Sequence, residues 1–305
     1  MNEVLLPAKL EKGDNIGIVA PSRPVYAVKE KVEKGAEILL QMGYGVKFSQ
    51  NFNKQSYYSA GSTHERTDDL NQMFANPDIG MIMTATGGIS SNQLLPYLDF
   101  ELIKKNPKPF VGYSDITTLL LTIYQKTGLV TFHGPDLADF SGLDQKSRDF
   151  LFALVGGNLL PGSSLGKIKV IQEGKAVGKL IGGNLYLIGS LLGTEYFPDF
   201  DNAILFWEET GESPAKIHQE LMHLKLAGVF DNLAGIIIGY LSDCTDKKYE
   251  EENRPIADIM IEVLGNKDVP VIKVDSFGHD LTSFYTFPIG LNAQIDTREN
   301  SFSIK

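Results

Sequence analysis

The chain has 305 residues, of which 43% are hydrophobic and 22% charged. That length exceeds one average domain, and that composition excludes disordered and collagen-like classes. A net charge of −10 argues against a non-specific nucleic-acid binder or an anionic-membrane ligand, and the single cysteine, Cys244, excludes an intrachain disulfide and any multi-cysteine metal site.

The first residues carry an apolar run too short for a signal peptide, and no stretch approaches the ~18 apolar residues of a membrane span. A cytoplasmic protein is expected. Residues 15–20 read as a buried strand ending at Pro21-Ser22. Residues 26–42 read as a helix, with Val32, Ala36, Leu39 and Leu40 at helical spacing. Gly43 and Gly45 end it before a strand at 46–49. A helix over 63–75, opened by Ser62 or Thr63, leads to strands at 79–84 and 109–112. A helix over 115–126 and a strand at 130–132 follow. This alternation predicts a parallel sheet covered on both faces. The stretch 156–166 has a linker composition. Beyond it we expect strands at 203–207, 235–239, near 271–274 and 292–296, and helices at 214–226 and 255–263. The fold class is α/β: an N-terminal Rossmann-like domain over 1–165 and a smaller C-terminal α/β domain over 166–305.

The segment 109–118 delivers Ser114 and Asp115 from a strand directly into a helix. Such a turn can expose a nucleophilic hydroxyl beside helix N-terminal amides. It also suits a plain helix cap, and Ile116 replaces the last glycine of Gly-x-Ser-x-Gly. A nucleophilic serine needs a base. His64, His218 and His223 fall in predicted helices, which leaves His133, after a strand, and His279, in a loop. Glu208 and Glu209 end an apolar strand, and because neighbours on a strand point to opposite faces, one of them at most would orient the imidazole. The turn at Gly87-Gly88 could bring backbone amides to a ligand, but it lacks both the dinucleotide fingerprint and the P-loop. No metal motif is present. Trp207, the single tryptophan, lies in an apolar strand and reads as core.

Several ordered blocks together resemble one family. They are Gly17-Ile-Val-Ala-Pro-Ser, Thr86-Gly-Gly-Ile-Ser-Ser-Asn-Gln-Leu-Leu-Pro-Tyr-Leu-Asp, Val111-Gly-Tyr-Ser-Asp-Ile-Thr, Gly182-Gly-Asn-Leu, Ile204-Leu-Phe-Trp-Glu-Glu and Gly278-His. Over nearly its full length the chain is similar to the LD-carboxypeptidases and microcin C immunity peptidases. The resemblance implies a Ser-Glu-His triad of Ser114, Glu208 and His279, with the backbone amides of Gly88 and Asp115 as oxyanion donors. It implies no metal and no cofactor, a homodimer, and a small peptide or aminoacyl-nucleotide substrate. The Gly-Gly-x-x-Ser-Asn-x-Leu-Leu-Pro-Tyr pattern is closer to the microcin immunity branch, a source of antibiotic resistance. Classical LD-carboxypeptidases commonly have an arginine and an aromatic where this chain has Thr86 and Ile89. The immunity branch stacks its nucleobase on tryptophans after Gly-Gly-Asn-Leu; this chain has none there, and Tyr186 or Tyr196 would substitute. The alternatives are a murein tetrapeptide LD-carboxypeptidase releasing terminal D-alanine, an inactive ligand-binding protein on the same scaffold, and a Rossmann-type nucleotide enzyme supported only by Gly87-Gly88.

Overall fold

The computed structural model describes residues 3–158 and 165–305, and it separates into two compact units. Most of the stretch read as a linker, Leu159–Ser164, lies outside the described residues. The first unit takes Met1–Leu160 together with Thr282–Gly290, and the second takes Pro161–Leu281 with Leu291–Lys305. The division falls between Leu160 and Pro161, and nine residues from the far half of the chain return to the first unit.

Strands and helices alternate through the first unit: β1 (Asn15–Val19), α1 (Lys29–Gln41), β2 (Gly45–Phe48), α2 (Thr63–Ala75), β3 (Ile79–Thr84), α3 (Phe100–Lys105), β4 (Phe110–Gly112), α4 (Thr117–Thr127), β5 (Thr131–His133) and α5 (Gln145–Val155). The second unit contributes β6 (Lys169–Gln172), β7 (Lys175–Asn184), α6 (Leu185–Ser190), β8 (Ala203–Thr210), α7 (Pro214–Leu226), β9 (Gly235–Ser242), α8 (Ile256–Leu264) and β10 (Val271–Lys273). The chain then supplies β11 (Phe287–Ile289) to the first unit and closes the second with β12 (Asn292–Asp296) and β13 (Ser301–Ile304).

The first sheet has the order β11-β5-β4-β3-β1-β2, and every pair is parallel except β11 with β5. The 2-1-3-4-5 order makes this a doubly wound sheet whose direction of winding reverses between β1 and β3. Parallel strands need both faces covered, and β1 and β3 are almost wholly buried, as their continuous apolar runs require. Val32, Gly35, Ala36 and Leu39 form the buried face of α1. Gly35 cannot be larger, because a Cβ there would run into the backbone carbonyl of Leu137. Ser62 opens α2 with a reciprocal capping box: its hydroxyl accepts from the Glu65 amide at 3.2 Å, and the Glu65 carboxylate accepts from the Ser62 amide at 2.8 Å. The predicted helix over 26–42 divides into a 3-10 turn at Val25–Val28 and α1.

The second sheet is mixed, in the order β13-β12-β7-β8-β9-β10-β6. Its parallel centre, β7 to β10, is bordered by antiparallel strands on each side. β8 continues to Thr210 and β9 to Ser242, so Glu208 and Glu209 stand within a strand rather than beyond its end.

Helix α7 buries a carboxyl group, that of Glu220, and neither of its oxygens has a hydrogen-bond partner. Burial is the main cause that lifts its pKa to about 7, Glu209 and Glu212 adding to it and Lys216, at 3.9 Å, opposing. A carboxyl whose folded pKa lies above its unfolded one costs nothing below the unfolded value near 4.5. It destabilises progressively as pH rises to 7, and fully above that. The limit of the effect is about 3 kcal/mol, at about 1.4 kcal/mol per pH unit. Glu220→Gln is therefore expected to raise Tm by a few degrees at pH 8 and to leave it unchanged near pH 4.5. Thermal denaturation of both proteins across that range checks it.

Candidate active site

The carboxyl ends of β1, β3 and β4 carry the chemistry-bearing loops of the first unit, as doubly wound sheets require. After β4 the chain passes through Tyr113, which is extended, into Ser114 at φ +59°, and then through a 3-10 turn into α4. A left-handed serine costs of order 1–3 kcal/mol and persists where the surroundings impose it. Here they do. Gly112 is packed so tightly that a Cβ would meet Thr84 and Ile116, and the Tyr113 hydroxyl donates to Asp139 at 2.7 Å. Ser114 is partly exposed between buried neighbours.

The loop after β3 lies directly over this serine. A Cβ on Gly87 would sit 3.1 Å from Ser114 Oγ and 3.8 Å from the Asp115 amide nitrogen. Gly88 has φ +156° and is partly exposed, between buried Gly87 and exposed Ile89. Its missing side chain is required, since a Cβ would strike Ser22 Oγ and come within 2.7 Å of the Arg23 amide. Gly87, Gly88, Ser114 and Asp115 are thus gathered in one place by the ends of two adjacent strands.

Glu208 and His279 come together in the second unit, and a bulge makes this possible. The β8–β9 register runs Trp207 to Ile238 and then Glu209 to Leu241, so Gly239 and Tyr240 together face Glu208 and β9 carries one extra residue. The segment after β10 enters the bulge: the Tyr240 amide donates to the Phe277 carbonyl at 2.8 Å, and a Cβ on Gly239 would collide with Phe277. Gly278, at φ +129°, passes so close that a Cβ would lie 2.8 Å from the Tyr240 carbonyl oxygen and 3.4 Å from Glu208 Cβ. His279 Nδ1 then stands 2.8 Å from Glu208 Oε2. Asp280, also left-handed at φ +57°, accepts from the Ser242 hydroxyl and holds the loop from its other side. Glu208 is fully buried and its Oε1 has no hydrogen-bond partner, so its charge is directed at the imidazole.

Glu209 points elsewhere. Its Oε1 accepts from Asn184 Nδ2 at 2.8 Å and the Thr210 amide at 2.9 Å, and its Oε2 accepts from the Tyr186 amide at 2.9 Å. Burial, the largest cause, pushes its pKa up. His133 is fully buried at the end of β5, with the Tyr113 and Phe284 rings 6.1 and 5.8 Å away. Burial likewise pushes the Cys244 thiol up to about 11, which keeps it protonated at neutral pH. Among the described residues no group of three or more His, Cys, Asp or Glu could hold a metal ion. Sequence reasoning overlooked the polar layer beneath the Gly87-Gly88 loop (Ser22, Arg66 and Ser90), although Ser22 and Ser90 both lie in motifs it singled out.

A strained serine beside a glycine loop, and a buried carboxylate paired with an imidazole, are the parts that acyl-transfer hydrolases use. The chain is an enzyme of that class, on an α/β scaffold of two units. It belongs to the LD-carboxypeptidase family: the family's N-terminal domain matches residues 16–134 and its C-terminal domain residues 177–295. The chain is 34% identical over 305 residues to a probable murein peptide carboxypeptidase of Bacillus subtilis, covering 98% of this chain and 94% of that protein. It is also 34% identical over 335 residues to the microcin C7 self-immunity protein MccF of Escherichia coli, covering 98% and 95%. A solved structure of MccF in complex with glutamyl sulfamoyl guanosine superposes with a TM-score of 0.89 at 30% identity, covering 99% of this chain and 98% of that one.

Proposed function

We propose that the chain is a serine peptidase of the microcin immunity type. It would cleave an amide bond in a small peptide or aminoacyl-nucleotide through an acyl-enzyme on Ser114. The observation that carries this reading is the left-handed Ser114 at the strand–turn–helix junction, overlaid by the Gly87-Gly88 backbone. With His279 Nδ1 engaged by Glu208, Nε2 accepts the Ser114 proton as Oγ attacks the carbonyl carbon. The amides of Gly88 and Asp115 receive the oxyanion. His279 returns the proton to the leaving amine, and water then hydrolyses the ester by the same steps in reverse. Glu208 holds the imidazole and stabilises its cation. Neither metal nor cofactor takes part. The protein acts in the cytoplasm as a homodimer, a reading that rests on the family resemblance; among the described residues no helix is long and apolar enough to cross a membrane.

Similarity to the MccF complex with glutamyl sulfamoyl guanosine supports the aminoacyl-nucleotide substrate. One feature favours a second substrate, a murein tetrapeptide ending in D-alanine: Trp207 is wholly buried, so no tryptophan can stack a base. Tyr186, 54% exposed beside the Glu209-anchored start of α6, is the aromatic that would take that place. Mass spectrometry of both compounds incubated with the protein tests the choice. Cleavage of an aminoacyl-adenylate analogue is expected. Cleavage of the tetrapeptide alone would assign the protein to murein turnover. Binding of either with cleavage of neither would make it a ligand-binding protein on a peptidase scaffold.

A further inference from the structure

We propose that a buried network of Arg66, Ser90, Asp115 and Ser22 sets the geometry of the oxyanion site, with Ser22 as its central positioning residue. The inference rests on the reading that the amides of Gly88 and Asp115 hold the oxyanion.

Each of those amides belongs to a segment this network grips. The Asp115 carboxylate is buried at 1% exposure, and its Oδ2 accepts from the Ser22 hydroxyl and from the amides of Ser90 and Ser91, both at 2.9 Å. The Asp115 backbone carbonyl accepts from Ser91 Oγ at 2.7 Å and from Thr118 Oγ1 at 3.2 Å. Asp115 is therefore fixed through side chain and backbone together, which leaves its own amide little freedom of direction. On the Gly88 side, Ser22 Oγ occupies the space a Cβ would need, and it also accepts from the Ser90 amide at 3.2 Å. The neighbouring Arg23 amide donates to the Gly87 carbonyl at 3.3 Å, and the Ser22 carbonyl accepts from the Ala60 amide at 2.8 Å. One serine hydroxyl thus meets both segments that carry the oxyanion amides. It is wholly buried and donates to a carboxylate, so it does not meet substrate.

Arg66 anchors the layer from below. At 2% exposure its Nη1 donates to the carbonyls of Pro21 at 2.7 Å and Ser90 at 2.9 Å, and its Nη2 donates to Gln93 Oε1 at 2.7 Å. The guanidinium clamps the loop after β1 to the loop after β3 and supplies the charge opposite Asp115. Burying both ions costs several kcal/mol, and well-packed apolar residues commonly serve stability as well or better. What the ions and hydroxyls add is direction: their hydrogen bonds hold the loops after β1 and β3 in one place. An oxyanion site needs this, since a displacement of about 1 Å costs about a hundredfold in rate.

The test uses the full-length protein and a fluorophosphonate, which phosphonylates serine through the same oxyanion geometry. Ser22→Ala is expected to lower the second-order rate constant for labelling Ser114 by about 10- to 100-fold, with full stoichiometry. Asp115→Asn, which keeps the backbone amide and nearly the same shape, is expected to slow labelling similarly, and it serves if Ser22→Ala does not fold. A variant that merely loses folded protein would show reduced stoichiometry at the native rate constant, and that result, like a native rate at full stoichiometry, overturns the inference. Peptide mapping keeps the two readings distinguishable: if native protein is not labelled at Ser114, the proposed nucleophile fails rather than the network.

Discussion

Ser114→Ala is expected to lower kcat/KM by about 10⁴- to 10⁶-fold on whichever amide substrate the native protein cleaves. At 1.36 kcal/mol per factor of ten, this is about 5–8 kcal/mol of transition-state stabilisation. The loss is large because covalent attack disappears with the hydroxyl, leaving only what the oxyanion amides and substrate binding contribute. The substitution changes no Cβ and leaves the backbone where Tyr113 and Gly112 hold it, so Tm is expected to stay within about 2 °C. Ser114→Gly sharpens the point. Glycine adopts φ +59° without the steric cost an L residue bears there, so this variant should be as inactive as the alanine one yet more stable by about 1 kcal/mol. A gain in stability on deleting the side chain identifies a residue kept in a strained conformation for chemistry. The measurements are kcat/KM on the cleaved substrate and denaturant unfolding of the three proteins. Residual activity above about 1% would show that another group attacks the carbonyl.

The sequence was informative where physical chemistry is local. Continuous apolar runs marked β1 and β3, helical spacing marked α1, and Ser62 or Thr63 marked the start of α2. The strand–turn–helix at Ser114 was visible for the same reason, since it needs only about ten consecutive residues. What escaped depends on distant partners. β11 is three residues with a proline in the middle, a poor strand by propensity, tolerated because it lies on the sheet edge. Its return to the first unit could not be anticipated from composition. The bulge at Gly239-Tyr240 falls where the strand read at 235–239 was expected to end, and only Phe277, many residues later, gives it a reason. The choice between His133, after a strand, and His279, in a loop, stayed open on pattern. Pairing of His279 with Glu208 and enclosure of His133 between rings are tertiary facts. The layer of Ser22, Arg66 and Ser90 joins the loops after β1 and β3 to α2, and no spacing rule connects residues so far apart in the chain.

Glu208→Gln should be nearly as costly to activity as loss of the serine, again without a loss of stability. The amide is isosteric, so His279 keeps a hydrogen-bonding neighbour at about the 2.8 Å of the native pair. In the proposed mechanism it loses the fixed negative charge that stabilises the imidazolium formed as Ser114 gives up its proton. It also gains an NH₂ group that can favour the wrong tautomer by donating to Nδ1. In comparable triads the neutral replacement lowers kcat by about 10⁴-fold, and a similar loss is expected here. Glu208→Asp withdraws the carboxylate by one methylene from a fixed imidazole and should recover only part of the rate. Stability moves the other way, because a fully buried carboxylate with an oxygen lacking any hydrogen-bond partner is a liability to the fold. Replacing it with a neutral group of the same shape should leave Tm equal or higher. Were Glu208 only a structural support for the His279 loop, the glutamine variant would lower Tm and activity together, by reducing the folded fraction. Measuring kcat per labelled active site alongside Tm separates the two cases. A native kcat in Glu208→Gln would leave the imidazole without a charged partner and would remove Glu208 from the proposed triad.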